Sequence, residues 1–511
     1  MSSTDTGRTQ WKSQAGFLIA AVGSAVGLGN IWRFGYMVHK HGGSAFLIPY
    51  FVALLVAGIP IMLLEYGIGH REKGAPPLSF AKISKDWEWV GWFMTIIAMF
   101  GIMLYYSVVI GWCVNYLFYS FDLKWGDDTQ AFFFSKFLEI SDSPGNFGGI
   151  RIPILSSTLF VWFLCWAICY RDVSHGIEKA CLIFMPLLVV LTLILCIWTL
   201  NLDGGFAAIK EHYFKWDLSK IRSIDVWRDA FSQIFFTLSL GFGIMITYAS
   251  YLPKKTDIPR NALLTSIINC MYSLLAGTIV FATIGFMSKT QGVPFGDVMK
   301  AGPQLAFTVY PKAISLLPAF NSVFGVIFFL VLVIAGISSG ISLIETFACS
   351  LTDKFDWSKK KAVSLICILG FLGSIIFTTR AGLLILDIVD HFVTNYGLVI
   401  GGIIECFIVG WVLKIYVLEK HINQVSKMKV SKLWGYAIKF ITPLILLGII
   451  FVTLRVDLSE NYGGYHTDFL FLYGVNWLLI SLIIAVAFTF YPWNPKKLKR
   501  EHLPEDDELL V

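Results

Sequence analysis

The chain is poor in charge, and that scarcity sets its class. Only 14% of its 511 residues are Asp, Glu, Lys or Arg, against about 25% in soluble domains, too few to clothe an aqueous surface of this size. Ten-residue stretches of alternating polarity are missing, which excludes a membrane barrel. No phosphate-cradling P-loop, HExxH or GxSxG motif occurs, so neither ATP hydrolysis nor intramembrane hydrolysis is indicated, and no enzymatic activity is expected. The nine cysteines show no CxxC spacing; Cys113, Cys165, Cys169, Cys181, Cys270, Cys349, Cys367 and Cys406 lie inside apolar runs, which argues against a disulfide framework or a zinc module. The formal charge of +6 is scattered in short basic runs rather than along one face, so no nucleic-acid partner is expected. The polar start leads into an apolar run too long for a signal peptide, with no small-residue cleavage site after it.

What is abundant is apolar and aromatic: 56% hydrophobic residues, with 17 Trp, 20 Tyr and 43 Phe. Aromatic rings settle at membrane–water interfaces, and lipid permits only helices or closed barrels to span it. Apolar runs near the ~20 residues needed for a spanning helix begin around Gly16, Phe46, Val90, Pro153, Cys181, Phe231, Leu263, Val323, Ala362, Leu383, Phe440 and Phe469. The chain therefore reads as an all-α membrane protein of twelve transmembrane helices embedded in a lipid bilayer. Lys and Arg concentrate in alternate connections: Lys12, then Arg71 to Lys85, Lys254 to Arg260, Lys354 to Lys361, Lys414 to Lys439, and Lys496 to Arg500. Under the positive-inside rule, both termini are expected in the cytoplasm.

Two spans carry glycines where a helix should be strongest. The first has Gly23, Gly27 and Gly29 at mid-membrane, and the sixth has Gly241 and Gly243. Each glycine costs about 1 kcal/mol against alanine in a helix interior, and in a lone membrane helix such residues usually serve close packing. Here the two spans are five apart, the spacing of two inverted repeats that each begin with a broken helix. The expected organisation is a single polytopic domain over residues 1–511. Repeat one covers about 14–200, repeat two about 226–413, two extra spans about 436–492, and a cytoplasmic tail 493–511. A broken helix exposes N–H groups on one half and C=O groups on the other, so it can hold an anion and a cation side by side.

The residues themselves resemble a known family. The run from Gly23 to Phe34 (GSAVGLGNIWRF), that from Gln233 to Gly243 (QIFFTLSLGFG), the pairs Tyr105-Tyr106 and Asn269-Cys270, and Ala335 to Ser339 (AGISS) are similar, in order, to the neurotransmitter:sodium symporter family, and to its bacterial leucine-transporter branch in particular. The resemblance runs from Arg8 to about Glu405 and implies the leucine-transporter type of fold with a five-plus-five inverted repeat. It also implies sodium-coupled symport of a small neutral, hydrophobic amino acid by alternating access, in a cell (plasma) membrane. A prokaryotic inner membrane is expected, since the loop from Phe121 to Ile152 has neither a cysteine pair nor an Asn-x-Ser/Thr acceptor.

By the same resemblance, one Na⁺ is held by Ala25, Asn30, Thr237 and Asn269 with the substrate carboxylate, and a second by Gly23, Val26, Ala335, Ser338 and Ser339. The substrate is expected among Ala25, Leu28, Gly29, Ile102, Tyr106, Phe236, Thr237, Ser239, Phe242, Ser339 and Leu343. Gly27 stands where monoamine carriers have Asp, which favours an intact amino acid over a dopamine-like amine. Arg33 and Asp390 resemble the outer gate, with Asp387 as the alternative acid; Arg8, Ser250, Tyr251 and Asp353 resemble the inner one. Tyr50, Gln233, Thr237, Asn269 and Ser273 resemble the chloride site of animal members, Ser273 standing where the leucine transporter carries a Glu. Glu65 and Glu405 are read as hydrogen bonders to the unwound backbone, and Glu345 has no assigned role. The competing reading is an amino-acid sensor or channel on the same scaffold that does not concentrate its ligand. Oligomeric state is not legible.

Overall fold

In the computed structural model, which describes residues 10–499, the chain is helical throughout; among those residues only two isolated β-bridges occur, Gly43 with Trp216 and Ile150 with Thr379. Among the described residues, ten helices are long and apolar enough to cross a membrane. One further bent pair, Gln14–Ala25 and Leu28–Lys40, turns through 54° and brings the total to eleven. The sequence leads to twelve spans; the difference arises at the sixth. There the apolar stretch divides into Ile224–Thr237 and Ile244–Ser250, two pieces of 14 and 7 residues separated by Leu238 to Gly243, and neither is long enough to span alone.

Local sequence explains the helix ends. Ser13 caps the first helix by accepting the Gly16 N–H, and Ser358 caps Lys359–Ser374 through the Lys361 N–H. Proline sits in the first turn of Ile152–Cys169 and of Ile258–Gln291, where its missing N–H has no intrahelical partner to lose. Gly292, at φ +67°, closes the latter helix in the left-handed region.

Helix Ile177–Leu200 packs on Gln14–Ala25, on Ile258–Gln291 and on the 35-residue helix Asn321–Phe355, while Leu104–Tyr119 packs on Asn321–Phe355 from the other side. Gln14–Ala25 is enclosed by these helices, while Leu28–Lys40 packs on Ile258–Gln291, Ile224–Thr237 on Leu47–Ala53 and Ile244–Ser250 on Ile59–Glu72. Lys432–Gly464 and Thr467–Thr489 lie outermost and are only 28% buried over their apolar windows; Leu444, Phe451 and Ile483 point outward, as lipid-facing side chains do. All nine cysteines are buried, and none forms a disulfide among the described residues.

Candidate functional site

The first break begins where Gly27 abandons helical hydrogen bonding. Its N–H, which in a continuous helix would meet the Gly23 carbonyl, donates instead to Asn30 Oδ1 at 2.8 Å. Val26 is extended (φ −79°, ψ 101°), and Leu28 then opens a new helix. The carbonyls at the end of Gln14–Ala25 and the amides at the start of Leu28–Lys40 are thus turned toward the same space.

The second break uses left-handed backbone. Ser239, Gly241 and Gly243 have φ of +54°, +76° and +74°. At Gly243 a Cβ would stand 2.4 Å from Pro76 Cγ, and at Gly241 one would stand 2.9 Å from the Leu398 carbonyl, so glycine is required sterically as well as conformationally. The buried Glu65 Oε1 accepts the Gly241 N–H at 2.8 Å, replacing a bond the unwinding removes. Glu405 was expected to do the same and does not: it is buried beside Glu65, but neither of its oxygens meets a hydrogen-bond donor.

Between the two breaks lies a cavity of about 50 Å³. Ala25, Leu28, Gly29, Ile102, Tyr106, Phe236, Thr237, Ser239, Phe242, Ser339 and Leu343 all line it, so the structure gathers every residue the sequence nominates for a substrate around one space. Among the described residues, no charged side chain lines it. Ser24, Ile244 and Ser342 also line it and were not anticipated; Ser342 could have been found from its position one helical turn beyond Ser338 and Ser339. Tyr106 Oη lies against the Leu28 amide and the Ser339 hydroxyl. A Cβ at Gly27 would come within 3.1 Å of Ser339 Oγ and 3.2 Å of Tyr106 Oη.

Hydroxyl and amide oxygens cluster on either side. On one side the Asn30 Nδ2, with two hydrogens to share, lies within hydrogen-bonding distance of Thr237 Oγ1 (2.9 Å), Asn269 Oδ1 (2.9 Å) and Ser273 Oγ (2.8 Å). On the other, Ser338 Oγ donates to the Ala335 carbonyl (2.9 Å), and Ser339 Oγ reaches the Ser24 carbonyl (3.1 Å), near the Gly23 and Val26 end of the first helix. The oxygens of both clusters are neutral, as suits a hard cation, although in the first the Asn30 amide turns its nitrogen toward the other three and its oxygen toward the Gly27 N–H. Tyr50 Oη donates to Cys270 Sγ at 3.4 Å and also faces Ser273. One turn before Thr237, Gln233 is fully buried with neither side-chain polar atom hydrogen-bonded.

Two larger cavities flank the centre. One, about 590 Å³, contains Arg33, Asp387 and Asp390, and shares Leu28, Gly29, Tyr106 and Phe236 with the central cavity. The Arg33–Asp390 gate inferred from the sequence is not closed by an ion pair. Arg33 donates to Ser232 Oγ (3.1 Å) and lies over the Phe236 ring (5.5 Å), while Asp390 accepts the Tyr105 hydroxyl (2.5 Å). Asp387 accepts the hydroxyls of Tyr462 (3.1 Å) and Tyr465 (3.0 Å). The other cavity, about 630 Å³, contains Ser250, Tyr251 and Asp353 and shares no lining residue with the centre. Ser250 bonds the Thr247 carbonyl (2.6 Å), and Asp353 Oδ2 accepts the Ala75 N–H (2.8 Å). Tyr251 donates to Glu345 Oε1 (2.9 Å), which also pairs with Lys359 (2.9 Å). Arg8 lies outside the described residues.

A helical membrane chain with two interrupted helical stretches around one cavity, and a larger cavity on either side of it, has the construction of a secondary transporter. The model of the Sodium:neurotransmitter symporter family matches residues 8–131 and 123–494, and the chain belongs to that family. It is 46% identical over 481 residues, 94% of this chain and 96% of the other, to an uncharacterized sodium-dependent transporter of Methanocaldococcus jannaschii. It is 30% identical to sodium-dependent dopamine transporters of Bos taurus and Caenorhabditis elegans, covering 90% of this chain in both cases and 71% and 83% of theirs. The protein is therefore a multi-pass, sodium-dependent membrane transporter and not an enzyme.

Proposed function

We propose that the chain is a Na⁺-coupled symporter of small neutral, apolar amino acids that works by alternating access across twelve spans. Residues 14–200 and 226–413 form the inverted repeats, each opened by a broken helix, and both termini face the cytoplasm. One observation carries this reading: the two helix breaks present opposite backbone charges to a single cavity that has no charged side chain. A zwitterion matches that pattern, because its carboxylate meets free amides and its ammonium meets free carbonyls. A basic or acidic side chain entering the cavity would find no countercharge and would retain its desolvation penalty.

The Leu28 and Gly29 amides and Tyr106 Oη hold the substrate carboxylate; the Ala25, Phe236 and Thr237 carbonyls hold the ammonium. Ile102, Phe242 and Leu343 receive the side chain. One Na⁺ sits among Ala25, Asn30, Thr237, Asn269 and the substrate carboxylate, so that ion and substrate complete each other's coordination. The second sits among Gly23, Val26, Ala335, Ser338 and Ser339 and ties the first broken helix to Asn321–Phe355. A chloride held by Tyr50, Gln233 and Ser273, with Thr237 and Asn269 behind them, neutralises the first sodium. The unpartnered Gln233 amide supports an anion there.

The Arg33–Asp390 side is the outer vestibule, separated from the substrate by Tyr106 and Phe236; the Asp353 side is the inner one. Although two relatives bear the name dopamine transporter, Gly27 leaves no acid beside the cavity to hold an amine that lacks its own carboxylate. The test is competition by the twenty amino acids and dopamine against labelled leucine in Na⁺. Apolar amino acids are expected to compete and dopamine, Lys, Asp and Glu to fail; displacement by dopamine alone would overturn the assignment.

A further inference from the structure

Residues 493–499, just after the last span, are packed against the protein. They turn back onto the end of helix Asn321–Phe355, the helix that carries Asp353. The last carbonyls of any helix lack intrahelical partners and attract cations. Here Lys497 Nζ supplies one, donating to the Thr352 carbonyl (2.9 Å) and the Asp353 carbonyl (3.0 Å) while pairing with Asp356 Oδ1 (2.5 Å). Asn494 Nδ2 donates to the other Asp356 oxygen at 3.2 Å.

A second anchor lies deeper. The Trp493 indole N–H donates to Glu88 Oε2 at 2.6 Å, across 405 positions of sequence. The Lys354 ammonium pairs with the other Glu88 oxygen at 2.5 Å and rests over the Trp493 ring at 4.3 Å, its side chain wholly excluded from solvent. Removing Trp493 would expose one face of a buried ion pair, whose strength depends on water being kept out. Leu498 adds an apolar contact with Leu78, Ala81 and Trp493. Leu78 and Ala81 belong to the short helix Pro76–Ile83, whose preceding residue, Ala75, donates its N–H to Asp353.

Thr352, Asp353 and Leu78, which this segment touches, line the inner vestibule together with Asn494, Lys496, Lys497 and Lys499, while the Trp493 anchor on Glu88 and Lys354 lies behind them. We propose that residues 493–499 form a clamp on the inner gate, joining the Asp353 end of Asn321–Phe355 to helix Pro76–Ile83, and that Trp493 and Lys497 must release before the inner vestibule opens. The clamp rests on the alternating-access reading for its purpose, although its contacts do not depend on which solute is carried. It makes the energy of inward opening a property of the chain's end as well as of the gate residues.

Cys349 gives a native reporter, since it is buried and lines the inner vestibule. The full-length protein, purified in detergent, is treated with a maleimide, and modification of Cys349 alone is followed with time by peptide mass spectrometry. Trp493→Ala and Lys497→Ala should each raise the Cys349 rate by about tenfold, as expected for loss of a charge-assisted hydrogen bond together with a buried cation–π contact or helix-end cation. Trp493→Phe, which keeps a ring beneath Lys354, should give a smaller rise. Rates within twofold of the unmodified protein for both alanine variants would overturn the clamp. Lys497 is partly exposed, so its variant keeps the test decisive if Trp493→Ala does not fold. Labelling needs no substrate, so failure of the transport reading would appear separately, as absent Na⁺-dependent uptake by the unmodified chain.

Discussion

The Asn30 side-chain nitrogen donates to the Asn269 side-chain oxygen at 2.9 Å, joining residues 239 positions apart. The Asn30 oxygen accepts the Gly27 N–H from within the first break, so this one side chain connects the unwound backbone to the polar cluster of Thr237, Asn269 and Ser273. Such a residue stabilises the break and orders the polar cluster proposed to hold an ion.

Asn30→Ala should accordingly weaken Na⁺ and substrate together. Loss of a buried amide leaves several partners unsatisfied, at about 1–3 kcal/mol each, which predicts a decrease of at least tenfold in both affinities. Parallel titrations of Na⁺ at fixed leucine, and of leucine at fixed Na⁺, provide the measurement. Loss of one affinity with the other unchanged would dissociate the ion from the substrate.

Gly27→Asp should abolish amino-acid binding while the protein still folds. The added Cβ falls 3.1 Å from Ser339 Oγ and 3.2 Å from Tyr106 Oη, placing a carboxylate where the substrate's own is proposed to lie. Radioligand binding is expected to fall to background, with an unchanged elution profile on size exclusion.

Chloride replacement by gluconate should slow Na⁺-driven uptake, and Ser273→Glu should remove that dependence by supplying a fixed negative charge. Uptake rates that are equal in the two anions for the unmodified protein would remove the chloride from the scheme.

Gly243→Ala should lower thermal stability. The φ of +74° costs an L-residue roughly 1–2 kcal/mol, and a Cβ 2.4 Å from Pro76 Cγ forces a further shift. The melting temperature, followed by intrinsic fluorescence of the purified protein, is expected to drop by several degrees; an unchanged value would mean that the second break tolerates a side chain.

Much of this architecture was legible because glycine at mid-membrane has few reasons to be there, and five-span spacing ties the two glycine clusters together. Periodicity alone could not supply the lining residues. Ile102, Tyr106 and Leu343 look like ordinary core positions, and only the likeness of their neighbours to a known family singled them out. Long-range partners were illegible for a physical reason: a side chain's choice between two nearby acceptors depends on angstrom-scale placement. Arg33 takes Ser232 and the Phe236 ring rather than Asp390, and Glu405 finds no donor although Glu65, beside it, does. Trp493 was hidden differently, since one aromatic residue in a basic tail has no period to betray its burial. The twelve-span expectation met eleven candidates because unwinding at Leu238 to Gly243 leaves each half of the sixth stretch short.

The most direct test is accumulation of labelled leucine in proteoliposomes that hold purified protein and have an inward Na⁺ gradient as the sole driving force. The account predicts an internal concentration that rises above the external one and collapses when a Na⁺ ionophore dissipates the gradient. Entry that stops at equal concentrations, at the same rate with K⁺ in place of Na⁺, would contradict coupled transport and leave a channel or sensor in its place.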